Sequence, residues 1–113
     1  MRISIRVSDG CPKPEGDLVR RRLEYAFGRF EGRVQALSVR LKDLNGPRGG
    51  RDKLCQITVK LERPRRVIIV EDVDAELEAA VSRAADRAAR SVARAVQSAA
   101  DWRLLSRAAP VWH

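Results

Sequence analysis

The chain is poor in the residues from which most active sites are built. Its 113 residues include a single histidine, His113 at the terminus, and two cysteines, Cys11 and Cys55. It therefore lacks the parts for a histidine-based acid–base pair or for a metal site made of several histidines and cysteines. We interpret Cys55 as a buried small hydrophobe and Cys11 as an incidental loop thiol. The sequence predicts a protein that is not an enzyme and that needs no metal, cofactor or small-molecule substrate.

Aromatic side chains and long apolar runs are also scarce. Aromatic residues make up 4% of the chain, and none alternates with the basic positions of the predicted strands, which argues against a reader of single-stranded RNA that stacks bases. No apolar run reaches the roughly 18 residues of a membrane span, and the N-terminus does not look like a signal peptide. We therefore expect a cytoplasmic protein in a reducing compartment, without a membrane partner.

Positive charge is what the chain has in excess. Lysine and arginine number 23 against 15 aspartates and glutamates, which gives a net charge of +8 at pH 7. This balance does not determine a fold, but it indicates a polyanionic partner, and nucleic acid before a membrane. A chain of this length is expected to form one domain. We place that domain at residues 1–103, followed by a C-terminal tail at 104–113, and we expect the last residues from Trp102 to extend the second helix and then fray.

Three segments, at about residues 2–7, 34–42 and 55–61, alternate apolar and polar residues, which is typical of strands with one buried face. A fourth predicted strand is the short apolar run at 67–70. A loop with three glycines at 45–53 favours a hairpin between the second and third strands. Apolar residues at helical spacing, among them Phe30 as a core anchor, indicate a first helix from about Glu15 to Gly32. A second helix is expected to be capped by Asp72 or Asp74. Its buried stripe is predicted to contain Leu77, Val81, Ala84, Ala88, Val92, Ala95 and Ala99.

The order of these elements predicts an α+β fold, β-α-β-β-β-α, in which two helices pack on one face of a four-stranded sheet. This arrangement is similar to a double-stranded-RNA-binding fold with a strand added in front. The three strands between residues 34 and 70 are expected to form an antiparallel meander, and its outward positions are notably basic.

The basic residues are spread over several of the predicted elements. Those of the second helix step by four, three and four residues, so we expect them along one line of roughly 16 Å. A second group is predicted on one flank of the first helix, and a third on the sheet and its hairpin loop. The alternative interpretation of each group is a solvated charged surface. The candidate RNA-binding residues are Arg83, Arg87, Arg90 and Arg94 on the second helix, Arg22, Arg29 and Arg33 on the first, and Arg40, Lys42, Arg48, Arg51 and Lys53 on the sheet and loop.

Two short patterns resemble a known family. The first helix and the strand after it contain Val19-x-x-Arg22-Leu23, then Phe30 and Val34. The second helix contains Glu76-Leu77-Glu78-Ala79-Ala80-Val81, then Asp86-Arg87 and Arg90. In this order the patterns are similar to those of the ribosome hibernation promoting factor and ribosome-associated translation inhibitor family, also called sigma-54 modulation proteins. The resemblance covers about residues 1 to 98, and the chain is expected to be a short-form member.

The resemblance implies a function without chemistry. Family members dock on the small ribosomal subunit between its head and body, where they occlude the sites of messenger and transfer RNA in stressed or stationary cells. The implied partners are thus the small subunit and its rRNA, with the protein a monomer off the ribosome. The alternative is a basic protein-interaction module, for example one that modulates a transcription regulator, with no RNA role. The spread of basic residues over sheet, loops and both helices favours the first interpretation.

Overall fold

The structure, a computed structural model, describes residues 1–8, 17–44, 52–62 and 64–108, with side chains up to residue 100. Three of the four strands are joined in sequence by short connections, and the two helices follow the first and the last strand. The elements are β1 (Arg2–Val7), α1 (Leu18–Phe27), a 3₁₀ turn (Gly28–Phe30), β2 (Val34–Asp43), β3 (Lys53–Leu61), β4 (Arg66–Asp74) and α2 (Leu77–Ala108). The predicted α+β order is confirmed.

The four strands form one sheet in the order β1-β2-β3-β4. Strand β1 pairs parallel with β2, because helix α1 carries the chain back along the sheet before β2 begins. Strand β3 pairs antiparallel with β2 on one side and with β4 on the other, so these three strands form a meander. Since the side-chain period of a strand is two, this register sends one set of residues to a buried face and the other to an open face.

Both helices cover the same face of the sheet. Helix α1 contributes Val19, Leu23 and Phe27 to a single apolar core, which the buried positions of β2, β3 and α2 complete. Helix α2 packs with alanines such as Ala84 and Ala88, which are fully buried. Their short side chains let the helix backbone approach the sheet closely. Of the predicted stripe, the positions from Val81 to Ala95 are buried, whereas Leu77 and Ala99 are half-buried.

Helix α1 is shorter than the sequence predicted. It begins at Leu18, not at about Glu15, and ends at Phe27, where the chain tightens into the 3₁₀ turn. Side chains three residues apart eclipse one another in such a turn, so Phe27 and Phe30 both reach the core. The expectation that Phe30 is a core anchor is therefore confirmed. Arg33 lies beyond the end of this helix, so the prediction that it shares a helical flank with Arg22 is wrong.

Strand β4 is longer than predicted, and helix α2 starts correspondingly late. Asp72 lies inside β4 and is not a helix cap. Asp74, the last residue of the strand, retains part of the predicted role, because its Oδ1 accepts the backbone N–H of Glu76 at 2.9 Å. Helix α2 continues to Ala108, into the segment that was predicted to extend it. Its length is about 48 Å, and no helix of the described residues is both long and apolar enough to cross a membrane.

Candidate nucleic-acid interface

The open face of the sheet carries a cluster of cations on β1 and β2. The register places Arg6 directly beside Arg40, and Lys42 follows two residues later on the same face. A shallow depression of about 240 Å³ is lined by these three residues together with Val7, Ser8 and Leu41. Like charges in directly opposed positions of a sheet destabilise it, and an anion bound beside Arg6 and Arg40 would offset this repulsion. We call Arg6, Arg40 and Lys42 the sheet surface.

A second group of cations lies on the opposite side of the protein, between the two helices. Residues from both helices and from the 3₁₀ turn line a groove of about 410 Å³, which we call the helix groove. Its lining consists of Tyr25, Ala26, Arg29, Asp86, Ala89 and Arg90.

The balance of charge in the helix groove is positive. The carboxylate of Asp86 is paired with Arg22 of helix α1, which neutralises the one acid of the lining. The guanidinium of Arg29 lies over the ring of Phe30, 4.7 Å from its centroid. Arg90 is exposed and has no ion pair within the part of the chain that the structure describes. The groove therefore presents two cations that anions can reach.

Two of the arginines predicted to bind RNA are engaged by acids at the edge of the sheet. Arg83 donates to Asp72 Oδ1 at 2.8 Å, to Asp74 Oδ2 at 2.9 Å and to the carbonyl of Val73 at 3.0 Å. Arg87 donates to the carbonyl of Glu71 at 2.8 Å and lies 3.4 Å from Asp72 Oδ2. We call Arg83, Arg87, Asp72 and Asp74 the edge clamp.

The edge clamp fastens helix α2 to β4, which is an edge strand. The hydrogen bond from Arg83 holds the pKa of Asp72 below its ordinary value, and the bonds from the Glu76 backbone and Arg83 do the same for the pKa of Asp74. Because two arginines face two aspartates, the clamp has no excess charge with which to attract RNA. The two arginines also donate hydrogen bonds to backbone carbonyls of β4. A strand of another molecule can then no longer pair with these carbonyls.

The line of arginines on α2 is thus divided by its neighbours. Arg83 and Arg87 lean toward β4, whereas Arg90 lines the helix groove. Arg94 lies farther along the same line and donates to Ser91 Oγ at 3.4 Å. The spacing correctly placed the four residues along one exposed line of the helix. It could not distinguish those that meet acids from those that meet solvent.

The other predicted residues also differ in their surroundings. Lys53 is bonded to Asp43 at 3.1 Å, and their side chains are only 13% and 8% exposed. Arg33 is half-buried, while Arg48 and Arg51 lie outside the described residues. RNA contact by any of these residues stays a prediction.

Two residues of the interface were missed by the sequence analysis, Arg6 and Tyr25. The alternation of β1 placed Arg6 on an outward face, but only the parallel pairing of β1 with β2 brings it beside Arg40. Tyr25 is 85% exposed, and only the packing of α1 against α2 places it in a groove with Arg29 and Arg90. No local pattern in the sequence signals either neighbourhood.

The chemistry of these surfaces is that of anion binding. Guanidinium groups make charge-assisted hydrogen bonds to phosphate. The described residues contain no group of three or more histidine, cysteine or acidic side chains that could hold a metal ion. Cys55 is fully buried, as predicted, and burial raises the pKa of its thiol to about 12. This thiol therefore stays protonated, and Cys11 and His113 lie outside the described residues.

Solved structures similar to this chain include the following two proteins. The crystal structure of the Protein Y N-terminal domain from Thermus thermophilus superposes with a TM-score of 0.66 and 27% identity, over 83% of this chain and 98% of that domain. A ribosomal subunit interface protein from Coxiella burnetii superposes with a TM-score of 0.63 and 12% identity, over 83% of this chain and 96% of that one. No model of a protein family and no curated protein matches the chain.

These comparisons support the family that the sequence patterns suggested. Protein Y is a member of the ribosome hibernation and sigma-54 modulation family. The chain resembles this family in its fold and, at 27% identity to Protein Y, in its sequence. The likeness to the Coxiella protein concerns the fold alone.

Proposed function

We propose that this protein is a ribosome-associated translation inhibitor, or hibernation factor, which binds the rRNA of the small ribosomal subunit. By occupying the sites of messenger and transfer RNA, it would stop translation in stressed or stationary cells. The observation that carries this proposal is the presence of accessible cations on opposite sides of the fold. The sheet surface and the helix groove are separated by the full thickness of the sheet and its helices.

Positive charge on two opposite sides suits a particular kind of RNA site. A protein that lies on one RNA surface needs one basic face, because counterion release occurs only where phosphates are neutralised. A protein that fills a channel with RNA on both walls gains from basic residues on both sides. The fold provides a compact body for such a site, and its recognition would rest on shape and backbone charge more than on base edges.

The structural neighbours support a ribosome-related role. The similar proteins include Protein Y and a ribosomal subunit interface protein. Binding that blocks a site requires occupancy and no reaction, so we propose a protein that is not an enzyme. We also propose that it acts in the cytoplasm and is a monomer away from the ribosome.

Sedimentation with purified ribosomal subunits tests the proposal. We expect the protein to move with small subunits through a sucrose gradient and to remain at the top of a gradient that contains large subunits only. A matched variant, Arg6→Gln with Arg40→Gln, removes two exposed cations from the sheet surface and should bind more weakly. Failure of the wild-type protein to move with small subunits at low salt would contradict the proposed function.

One observation favours the alternative of a protein-interaction module. Three aliphatic side chains on the open face of β4 are unusually exposed, Val67 at 58%, Ile69 at 60% and Val73 at 42%. Exposed apolar residues that lie together can mark a protein contact. The variant Ile69→Ser separates the two functions, because it should weaken binding to a protein partner and leave binding to purified small subunits unchanged.

A further inference from the structure

The most exposed large hydrophobic side chain of the described residues lies in the helix groove. Tyr25 is 85% exposed on helix α1, and it shares the groove with Arg29 and Arg90. The guanidinium of Arg22 lies 5.7 Å from the centroid of the tyrosine ring. An aromatic ring held beside cations, in a groove that has room for a ligand, is the arrangement with which proteins bind unpaired bases.

We propose that the helix groove is a subsite for one unpaired nucleotide of RNA. The base stacks on the ring of Tyr25, and the adjoining phosphate is bound by Arg29 and Arg90. This inference rests on the proposed function for the identity of the ligand as RNA, and it adds a contact to a base where that function requires contacts only to the backbone.

The charges of the groove fit a phosphate. Asp86 would repel an anion, but its carboxylate is paired with Arg22. This ion pair also holds Arg22 beside Tyr25, so that a cation neighbours the ring before any ligand arrives. Arg29 and Arg90 then provide the two charges in excess.

The shape of the groove fits a nucleotide that is not base-paired. Its volume of about 410 Å³ lies within the range of sites that bind small ligands. The bases of an RNA duplex are stacked inside the helix and could not reach the ring, whereas a nucleotide in a loop, a bulge or a single strand can be splayed out to stack on an aromatic side chain. The subsite therefore selects an unpaired nucleotide.

Two substitutions at position 25 separate stacking from other roles of the side chain. Tyr25→Phe keeps the ring and removes the hydroxyl, whereas Tyr25→Ala removes the ring and keeps a good helix former. We expect Tyr25→Phe to bind like the wild type and Tyr25→Ala to bind about 5- to 150-fold more weakly. Because the ring is exposed, both variants should melt at the temperature of the wild type.

Binding is measured with two probes, purified small ribosomal subunits and a single-stranded RNA hexamer that contains 2-aminopurine. Stacking on Tyr25 should quench the fluorescence of the 2-aminopurine in the wild type and in Tyr25→Phe, but not in Tyr25→Ala. A duplex that contains the same base should show no quenching.

The possible results separate the inference from the function on which it rests. If the wild type and Tyr25→Ala bind small subunits equally well and the hexamer shows no quenching, the subsite is refuted and the proposed function stands. An equal loss of binding in Tyr25→Phe and Tyr25→Ala would assign the effect to the hydroxyl and also refute stacking. If the wild type does not bind small subunits, the proposed function fails, and quenching of the hexamer alone decides whether the groove binds a nucleotide.

Discussion

Glutamine at both Arg29 and Arg90 should flatten the salt dependence of binding to small ribosomal subunits. Both guanidinium groups line the helix groove, and neither is in an ion pair within the described part of the chain. A cation that neutralises one phosphate contributes about 0.7–0.9 to the slope of log affinity against log salt. Loss of two contacts should therefore lower the slope by roughly 1.4–1.8.

This change in slope is large enough to measure by titration at several salt concentrations. Between 50 and 200 mM salt the wild-type protein should lose affinity roughly 7- to 12-fold more than the double variant does. Labelled protein and purified small subunits suffice for the assay. Since both residues are exposed, the melting temperature of the variant should stay within a few degrees of the wild type.

A second double variant, Arg83→Gln with Arg87→Gln, is the matched control. It removes the same number of positive charges, but these two arginines belong to the edge clamp. We expect a lower melting temperature, because Asp72 loses its partners and β4 loses its attachment to α2, and a smaller change in slope. If the clamp variant flattens the slope and the groove variant does not, the division of the arginine line into clamp and interface is wrong.

Three further predictions concern the fold. Phe27 is fully buried, so Phe27→Ala should lower the free energy of unfolding in urea by about 3–5 kcal/mol; a loss below about 1 kcal/mol would contradict the described core. Because Arg83 lowers the pKa of Asp72 from its ordinary value of 3.8, the stabilisation from the ionised carboxylate is complete above that value and is lost as pH falls below it. The stability of the wild type should therefore decline more steeply on acidification than that of Asp72→Asn, and parallel curves would refute this role. Burial raises the pKa of Cys55 to about 12, so iodoacetamide at pH 8 should leave this residue unmodified in the native protein, as mass spectrometry of its peptide can check.

Much of the fold could be predicted because local patterns and tertiary packing agree. The alternation around Leu37 and Ile57 gave the buried face of β2 and β3, and helical spacing identified both helices. Strand β4 was predicted too short because its second half contains Glu71, Asp72 and Asp74, residues that commonly precede or begin a helix. In the structure, Arg83 and Arg87 of α2 donate hydrogen bonds to the second half of β4. These bonds join residues that are 10 and 16 positions apart in the sequence. Such a contact cannot be read from a local pattern.

The candidate interface could be predicted only in part, for a similar reason. The sequence gives the positions of cations but not their partners, and a partner decides whether a cation is available to RNA. Lys53 is predicted to be a cation of the sheet and its loop, but in the structure it is largely buried against Asp43. Conversely, Arg6 gained its place in the sheet surface from a pairing with β2 that the order of elements alone did not specify.

In the proposed mechanism, the protein occupies the same space on the small subunit as messenger and transfer RNA. Purified small subunits carrying labelled messenger and transfer RNA, titrated with this protein and separated on a sucrose gradient, test it directly. The account predicts that both RNAs are released as the protein becomes bound, and that a prior excess of the RNAs excludes the protein. A stable complex in which the protein, both RNAs and the small subunit sediment together would contradict it.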